Sequence, residues 1–403
     1  MKVLLLNQVF YPDLVSTAQH AGDLARELAA QGHEVTVLAS RRAYDDPKVR
    51  FSRKEDWDGV RIVRVSCSGF GKGARWRRAL DFGTYIAACS LRLLLFSPFD
   101  VVVTMTTPPL LSALAAAFMR LRGGRLVVWV MDLNPDEAVA AGWLRENSLT
   151  ARVLERLLEA SLNRADTIIV LDDFMKERVV RKGIDERKVS VLPPWCHDDV
   201  VHYDAEGAKA FREEHGLSAK FVVMYSGNHS PCHPLDTLLE AAVRLSDRPE
   251  ICFCFVGGGS RFAQVQRFAE DRKLKNVVCL PYQPLERLGT SLSSADLHVV
   301  VMGDPFVGIV HPCKVYNILK VGIPFLYIGP LQSHVTDLLP VAAVGTWAHL
   351  AKHGDVNRVV EQILACMGTG NGKRWSDEVQ LAGNFSRKTL AGKMVQLISG
   401  GKS

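Results

Sequence analysis

The sequence predicts an α/β protein made of two doubly wound domains, each with a parallel sheet covered by helices on both faces. The chain has 403 residues, more than one hydrophobic core usually organises. Short apolar runs alternate with amphipathic stretches of helical period, which is typical of parallel strands joined by helices. The alternation begins again after Pro193-Pro194-Trp195, where prolines interrupt regular structure, so we place the domain boundary there.

The first domain, over 1–194, takes its strands from continuous apolar runs, with a helix at 18–31 after the first of them. These runs are VLLLN, EVTVLAS, DVVVTM, RLVVWVMD and TIIVLDD. The second domain, over 195–380, repeats the pattern with FVVMYSG, EICFCFVGGG, NVVCLPY, DLHVVVM and PFLYIG, and with a helix at 235–246. An amphipathic helix within 381–403 is expected to pack back toward the first domain. Ligands of such sheets bind at the carboxyl ends of the strands, in the cleft between two such domains.

Composition excludes several classes of protein. Hydrophobic residues make up 48% and charged residues 23%, as in soluble globular proteins. We expect no transmembrane helix, because no apolar run reaches 18 residues, and we interpret MKVLLLNQVFYPD as a strand rather than a signal peptide. Nine cysteines, an odd number without CxxC spacing, indicate reduced thiols and a cytoplasmic location.

The net charge of +6 comes mainly from the first half of the chain, especially between Arg41 and Arg92. This excess is too weak and too interrupted by acids for nucleic-acid binding. It favours an anionic membrane surface or a partner that carries a diphosphate.

The stretch GDPFVGIVHPCKVYNILKVGIP places Lys314 and Tyr316 where an apolar helix begins. A helix N-terminus presents free N–H groups and the positive end of a dipole, so it suits an anion. We interpret Lys314 and the amides of Val315 and Tyr316 as an anion cradle. The alternative is a solvated lysine at a helix start.

Six segments resemble, in order, the motifs of the family 4 glycosyltransferases. They are YPDLVSTAQHAGDLARELAAQGHEVTVLAS, YSGNHSPCHPLDTLLEAA, FVGGGSRFAQVQ, VVCLPYQPLERL, SSADLHVVV and HPCKVYNILKVGIPFLYIGP. The subgroup that they resemble builds bacterial surface polysaccharides and O-antigens on lipid carriers. The resemblance implies the GT-B fold, in which two Rossmann-like domains face each other across a cleft. It also implies a sugar-nucleotide donor on the second domain, an acceptor at the first, and retention of anomeric configuration.

The chain departs from the family pattern at residues that usually bind the donor. Asn317 stands in place of the second acid of the Glu-x7-Glu motif, and only Asp304 lies near the first. The Arg and Lys that often hold the diphosphate are replaced by Asn228 and His233. In the first domain, Ser16-Thr17 replaces a Gly-Gly pair and Asp132 replaces a histidine.

On this resemblance, the anion at Lys314 is the diphosphate of a sugar nucleotide, whose developing charge the protein stabilises. We expect no metal and no cofactor, since the chain shows no DxD triplet of the metal-binding kind. The segment around His229 and Cys232 lacks a second ligand pair for zinc. The residues assigned to donor binding are Ser16, Thr17, Gly227, Asn228, His229, Gly258, Tyr282, Lys314, Val315, Tyr316 and Asn317.

Each of these assignments has a structural alternative. Tyr282 is predicted to flank the base, with core packing as the alternative, and Asn317 could bind ribose or simply lie in the first helical turn. Asp132, at the end of a buried strand, is predicted to act as a base or to orient the acceptor, while a helix N-cap is its alternative role. Asp304 is the weaker catalytic candidate, next to the donor sugar.

The segment GKGARWRRALDFGTYIAACSLRLLLFSPF joins a basic cluster to an apolar helix. Its residues Arg75, Trp76, Arg77 and Arg78 suit a membrane interface and a lipid-diphosphate acceptor. An ordinary domain helix with a basic start is the other interpretation.

Together these features predict a hexosyl- or N-acetylhexosaminyltransferase at the inner face of the plasma membrane. It would move a sugar from a nucleoside-diphosphate sugar, with UDP-sugar favoured, to a lipid-linked glycan precursor. A sugar-nucleotide epimerase of the same fold stays open as an alternative. So does a catalytically silent homologue that supports a partner transferase, because the Glu-x7-Glu motif is substituted.

Overall fold

The computed structural model describes residues 1–44, 46, 48–71, 75–197, 199–368 and 375–400, and the chain divides into two compact units. Unit 1 comprises Met1–Pro194, Gly308–His311 and Arg387–Ser403, and unit 2 comprises Trp195–Val307 and Pro312–Ser386. The chain leaves unit 1 after Pro194, within the Pro-Pro-Trp segment. Its final return to unit 1 begins at Arg387, later than the predicted 381, and the short segment Gly308–His311 also belongs to unit 1.

Unit 1 contains an eight-stranded sheet whose order is β3-β4-β2-β1-β5-β6-β7-β8. All neighbouring strands are parallel except β3 and β4, which form an antiparallel hairpin at one edge. The elements are β1 Lys2–Leu6, α1 Ser16–Ala30, β2 Glu34–Ser40, β3 Lys54–Trp57, β4 Val60–Val65, α2 Arg75–Leu94, β5 Val101–Thr104, α3 Leu111–Arg122, β6 Arg125–Trp129, α4 Asp136–Ala140, α5 Leu149–Arg164, β7 Thr167–Val170, α6 Asp173–Arg181 and β8 Val189–Val191.

Unit 2 contains a six-stranded sheet, β11-β10-β9-β12-β13-β14, in which every neighbouring pair is parallel. Its elements are α7 Ala205–Glu214, β9 Phe221–Asn228, α8 Asp236–Arg244, β10 Ile251–Gly258, α9 Phe262–Asp271, β11 Val277–Leu280, α10 Leu288–Ser293, β12 Leu297–Val301, α11 Lys314–Val321, β13 Phe325–Ile328, α12 His334–Asp337, β14 Ala348–Ala351, α13 Val356–Gly368 and α14 Ser376–Gly383. The prediction of two doubly wound parallel sheets is confirmed.

The apolar runs form central strands because both faces of each sheet are covered. In β9, Phe221, Val223 and Tyr225 lie in one hydrophobic cluster, whereas Val222 and Met224 lie in another. Side chains of a strand alternate between its two faces, so a strand buried on both faces must be apolar at every position.

The last helix, α15 (Arg387–Ser399), packs within unit 1. Its side chains Leu390, Met394 and Ile398 are buried. Arg125 of β6 donates to the carbonyl oxygen of Ile398 at 3.0 Å, and Arg387 lies 3.4 Å from the Asp23 carboxylate of α1. Among the described residues, no helix is both long and apolar enough to cross a membrane.

Candidate active-site residues in the two units

The main feature of the candidate donor site in unit 2 is the Lys314 ammonium group at the start of α11. Its Nζ is buried and has no hydrogen-bond partner among the described residues. It lies 3.6 Å from the ring centroid of Tyr225, a buried residue of β9. Burial lowers the pKa of Lys314 to about 7. A solvated lysine, the alternative role, is therefore not what the structure shows.

Glycines at the ends of β9 and β10 leave room around this ammonium. A Cβ on Gly227 would lie 3.1 Å from Lys314 Nζ, and a Cβ on Gly257 would lie 2.1 Å from the Gly227 carbonyl oxygen. Gly227 and Gly257 have φ of +135° and +137°, a region that side-chain-bearing residues rarely adopt. The backbone can thus approach closely where the cation lies.

His229 is enclosed by aromatic rings and is electrically neutral near pH 7. Burial, and then the Lys314 charge, lower its pKa to about 4. Its Nδ1 lies 3.0 Å from the Gly227 carbonyl oxygen, so Nδ1 carries the proton and the buried Nε2, which has no partner among the described residues, is an acceptor. An acceptor repels phosphate oxygens, which leaves a sugar hydroxyl as the contact that His229 could make.

His233 does not replace the charge of the family lysine. Its Nδ1 lies 2.7 Å from the Val301 carbonyl oxygen, and burial lowers its pKa to about 3. Of His233 and Lys314, only Lys314 can therefore carry a positive charge near neutral pH. His229 and His233 both have Nδ1 beside a backbone carbonyl, as expected of a hydrogen-bonded loop.

The predicted amide cradle is wrong in detail. The N–H groups of Val315 and Tyr316 donate to the carbonyl oxygens of Pro312 and Cys313, at 3.4 and 3.2 Å, because a turn precedes α11 and supplies these acceptors. The Tyr316 side chain is buried and its ring centroid lies 4.7 Å from that of Phe385. The residue therefore packs in the core of unit 2.

Asn317 has a structural partner in unit 2. Its Oδ1 accepts a hydrogen bond from the His197 N–H at 3.1 Å. A ribose hydroxyl would therefore meet the Nδ2 donor of Asn317 rather than the oxygen. The substitution of Glu by Asn provides a donor where a carboxylate would only accept.

Two further predicted donor residues lie at the same sheet edge. The Tyr282 ring is 45% exposed and lies against Gly258, where a Cβ would be 2.9 Å from Tyr282 Cε2. This exposure argues against simple core packing. Asn228, at the end of β9, has its Oδ1 next to Gly259, where a Cβ would be 2.2 Å away.

Asp132 is the main acidic candidate of unit 1. It follows β6, and its N–H donates to Thr106 Oγ1 at 3.2 Å. The helix after it begins only at Asp136 and has no side-chain cap, so Asp132 is not an N-cap. Burial and then the charge of Glu137 raise the pKa of Asp132 to about 8, while the charge of Arg78 lowers it. Near neutral pH this carboxyl can hold a proton and exchange it.

The segment Gly308–His311 lies beside Asp132 within unit 1. Val310 pairs with Asp132 in an antiparallel bridge, and the Leu133 N–H donates to the Ile309 carbonyl oxygen at 2.9 Å. Gly308 has φ of +69°, and a Cβ there would lie 2.6 Å from the Phe174 carbonyl oxygen. This position therefore favours glycine.

A buried His–Asp pair, not predicted from the sequence, lies at the end of this segment. His311 Nδ1 is 2.7 Å from Asp172 Oδ2, and Asp172 Oδ1 accepts from the Met175 N–H at 2.8 Å as the N-cap of α6. Asp172 therefore joins a helix start to the segment beside Asp132. The strand-end rule, applied to β7, points to Asp172. Tyr225 has no such signal, because a tyrosine in an apolar strand is usually a core residue.

The remaining predicted residues lie apart from these clusters. Ser16 is exposed and Thr17 half-buried in the first turn of α1, in unit 1, whereas Asp304 is exposed in a 3₁₀ turn of unit 2. One literal Asp-x-Asp triplet does occur, Asp56-Trp57-Asp58. It lies in the edge hairpin of β3 and β4, and the Trp57 ring stacks on Tyr11.

The basic start of α2 is exposed. Trp76 is 59% exposed, and the Arg77 guanidinium lies 5.4 Å from its ring centroid. The Arg78 guanidinium donates to the Tyr44 hydroxyl at 2.8 Å. The side chain of Arg75 lies outside the described residues.

Comparison with known proteins places a glycosyltransferase model on each unit. Residues 17–195 match the family model described as "Glycosyl transferase 4-like domain", and residues 208–325 match "Glycosyl transferases group 1". The putative colanic acid biosynthesis glycosyl transferase WcaI of Escherichia coli (strain K12) is 27% identical over 339 residues, which are 80% of this chain and 82% of that protein. The probable glycosyltransferase WbjE of Pseudomonas aeruginosa is 24% identical over 247 residues, 61% of each chain.

A solved structure extends the likeness to the whole chain. The Anabaena protein Alr3699/HepE, in complex with UDP and glucose, has a TM-score of 0.75 and 13% identity, with 99% of both chains covered. At this identity the likeness shows the fold. The family models that match the two units, the relatives described as glycosyltransferases, and the shared architecture agree with one another. The chain belongs to the family 4 glycosyltransferases and has the GT-B fold.

Proposed function

We propose that this glycosyltransferase moves a sugar, with retention, from a nucleoside-diphosphate sugar to a lipid-linked glycan precursor during assembly of a surface polysaccharide. The observation that carries the donor half is the Lys314 ammonium, buried without a hydrogen-bond partner among the described residues. Moving an ion out of water costs hydration free energy, on the order of several kcal/mol, and this cost is offset only if a partner interacts with the charge. An anionic ligand supplies that partner.

The diphosphate of the donor fits this position chemically. Negative charge grows on the leaving diphosphate as the bond to the sugar breaks, and a preorganised cation stabilises it. The Tyr225 ring supports the ammonium by a cation–π contact without neutralising it. Because Lys314 supplies this charge, we propose that transfer needs no divalent ion. Full activity after dialysis against EDTA would support this, and loss of activity that Mg²⁺ or Mn²⁺ restores would contradict it.

UDP is the favoured nucleotide. The Anabaena protein Alr3699/HepE, which has the same fold, was crystallised with UDP-glucose. In this chain, the exposed Tyr282 ring against Gly258 offers a flat surface for a base. The sugar is a hexose or an N-acetylhexosamine.

The acceptor half rests on unit 1 and on the names of the relatives. Asp132, with a pKa raised to about 8, can take the proton of an acceptor hydroxyl. The WcaI relative is described as an enzyme of colanic acid biosynthesis, which supports a role in polysaccharide assembly. Asp304, exposed in unit 2, is kept as the weaker candidate next to the donor sugar.

The exposed side of α2 supports contact with the inner face of the plasma membrane. Along this helix Trp76, Leu80, Leu91 and Leu94 are 59, 46, 68 and 61% exposed, and their spacing places them on one face. Arg77 lies at the N-terminal end of the same helix. An apolar face with arginines at one end suits the surface of an anionic bilayer.

The donor assignment is tested by thermal shift against a panel of nucleoside-diphosphate sugars, followed by assays of nucleoside-diphosphate release. We expect a UDP-sugar to raise the melting temperature, because a ligand of the native state stabilises it. Lys314→Ala should lose this shift. The control is Lys320→Ala, on the same helix, which should keep it. Equal shifts in both variants would remove Lys314 from the site.

Transfer itself is tested with membranes that contain lipid-linked glycans. Sugar should appear in the lipid fraction, and the anomeric proton of the product should show the configuration of the donor. Interconversion of sugar nucleotides would favour the epimerase. Binding without turnover would favour the silent homologue.

Membrane contact is tested by sedimentation with vesicles of phosphatidylethanolamine and phosphatidylglycerol. Trp76→Ser combined with Arg77→Gln should leave the protein in the supernatant. Leu149→Ser, which changes a leucine that is 79% exposed on α5, should sediment like the wild type. Sedimentation of the double variant at the wild-type level would contradict the assignment of this face.

A further inference from the structure

Unit 1 contains a cavity of about 50 Å³ at the carboxyl ends of β1, β2 and β4, next to α2. A buried water needs about 10–15 Å³ measured in this way, so the space corresponds to roughly three to five waters. That is the size of a phosphate group with its oxygens.

The charged residues at this cavity favour an anion. Arg42 follows β2 and Arg78 lies in the first turns of α2, and both line the cavity, where Asp81 is the one acid among the described residues. The Asp81 carboxylate accepts hydrogen bonds from the Ser68 hydroxyl at 2.7 Å and from two backbone N–H groups at 3.0 Å, those of Phe70 and Gly71. These donors occupy the Asp81 carboxylate and stabilise it, and the two guanidinium groups still leave the described lining with a net positive charge.

The two guanidinium groups are held in place before any ligand arrives. Arg42 Nε donates to the Cys67 carbonyl oxygen at 3.0 Å. Arg78 donates to the Tyr44 hydroxyl at 2.8 Å, and its guanidinium carbon lies 5.2 Å from the Phe82 ring centroid. Planar guanidinium groups fixed in this way suit phosphate oxygens.

Gln8 provides a second, independent sign of a ligand. It follows β1, lines the cavity and is only 8% exposed, yet its Oε1 has no hydrogen-bond partner among the described residues. A buried amide oxygen without a donor costs free energy, of the order of 1–3 kcal/mol. A ligand hydroxyl would satisfy it.

We propose that this cavity is the acceptor subsite for a sugar phosphate, with the phosphate on Arg42 and Arg78 and a sugar hydroxyl donating to Gln8 Oε1. This inference rests on the proposed function, in which the acceptor glycan is joined to its lipid through phosphate. It adds the residues that recognise this junction.

The cavity is electrostatically linked to the candidate catalytic carboxyl. Arg78 lines the cavity, and its positive charge opposes the effect of burial and of Glu137 on the pKa of Asp132. A phosphate on Arg78 would offset that positive charge. An occupied subsite should thus make Asp132 a stronger base, so that acceptor binding and proton acceptance are coupled.

The test is calorimetric titration of the full chain with α-glucose 1-phosphate, in the presence of saturating UDP so that the donor site is filled. Arg78→Gln should weaken binding of the probe at least tenfold. The control is Arg61→Gln, which removes the same charge from an exposed position of β4 and should change the affinity less than twofold. Melting temperatures establish that both variants fold.

Gln8→Leu separates hydroxyl recognition from phosphate recognition. It should weaken α-glucose 1-phosphate several-fold and leave inorganic phosphate unchanged, because only the sugar carries the hydroxyl. Unchanged affinity of α-glucose 1-phosphate in both Arg78→Gln and Gln8→Leu would overturn the subsite. Tighter binding of glucuronate than of α-glucose 1-phosphate would overturn the choice of phosphate over carboxylate.

The outcome for the subsite can be told apart from that for the proposed function. If UDP-sugar is bound and turned over while α-glucose 1-phosphate shows no arginine-dependent binding, the subsite alone is wrong. If no nucleoside-diphosphate sugar binds, the proposed function is wrong, whatever occupies the cavity.

Discussion

Lys314 in unit 2 and Asp132 in unit 1 are both charged side chains that burial drives toward neutrality. The pKa of Lys314 falls to about 7 and that of Asp132 rises to about 8. Their surroundings differ. Lys314 has an aromatic face, Tyr225, and no hydrogen-bond partner among the described residues. Asp132 has a like charge, Glu137, and an opposing one, Arg78.

The difference in surroundings indicates which chemistry each side chain suits. An ammonium beside a π face keeps its attraction for an anion, which is the basis for proposing that the donor diphosphate binds there. A carboxyl with acidic and basic neighbours has a pKa that each of them tunes, so it suits proton exchange with an acceptor hydroxyl. We therefore propose that Lys314 in unit 2 binds an anion and that Asp132 in unit 1 exchanges a proton.

The largest effect that we expect is on the rate of transfer, after substitution of Asp132 in unit 1. Asp132→Asn should lower the rate of transfer by about 10²–10⁴-fold, since a general base contributes about this much. Donor affinity, measured by calorimetry, should stay within twofold. Asp173→Asn, which alters an exposed carboxylate at the start of α6, is the control and should leave the rate unchanged. A parallel loss of donor affinity would show that Asp132 contacts the donor.

A methyl group at Gly227 should disturb the surroundings of the Lys314 ammonium in unit 2. Gly227→Ala places a Cβ 3.1 Å from Lys314 Nζ at a φ of +135°, so the ammonium must shift and donor affinity should fall about tenfold or more. Gly216→Ala introduces a Cβ at a φ of +69° with open space around it, so it should affect stability but not donor affinity. Equal donor affinity in the two variants would contradict the position of the cation.

The pH dependence of donor affinity tests the protonation state of Lys314. Free Lys314 loses its proton above about pH 7, whereas the diphosphate complex favours the ammonium, so binding takes up a proton and weakens as pH rises. The dissociation constant of UDP should increase toward about tenfold per pH unit between pH 7.5 and 9, a range above the phosphate ionisation near roughly pH 6. Lys314→Arg stays charged and should flatten this slope. A wild-type slope of zero would show that the ammonium is already fully charged.

Replacement of Glu137 tests whether its charge raises the pKa of Asp132, and we expect this effect to be the smallest. Glu137→Gln removes a like charge while keeping an oxygen for the Asn134 side chain, which now donates to Glu137 at 3.0 Å. The pKa of Asp132 should fall, and the limb of the rate profile that rises with pH should move to lower pH by less than about one unit. Glu137→Asp keeps the charge and should leave the limb in place. A move toward higher pH would show that Glu137 does not act on Asp132 through its charge.

Much of the fold follows from the sequence because strands buried on both faces must be apolar at successive positions. The runs FVVMYSG and VLLLN therefore predict β9 and β1, and two prolines predict the place where the chain leaves unit 1. The proposal that Lys314 binds an anion also starts from the sequence, since a lysine at a helix start is visible in the residues alone.

The details of the site come from backbone geometry and tertiary contacts that the residue types alone do not specify. The amides of Val315 and Tyr316 were predicted to bind the anion, but the turn at Pro312 and Cys313 provides their acceptors. These acceptors lie only three residues before the donors, so the turn is local, but the presence of Lys314 at a helix start does not indicate it. The neutral state of His229 and His233 depends on burial and on carbonyl groups of other strands, those of Gly258 in β10 and Val301 in β12.

The two parallel sheets, the boundary after Pro194 and the types of side chain at the strand ends can be inferred from the residues alone, because these features follow from periodicity and from residue chemistry. The folded structure is needed to see that the Tyr225 ring contacts the Lys314 ammonium and that the charge of Arg78 lowers the pKa of Asp132. The folded structure also shows that Gly308–His311 belongs to unit 1. These features join residues far apart in the chain, and burial and charge act through space rather than along the sequence.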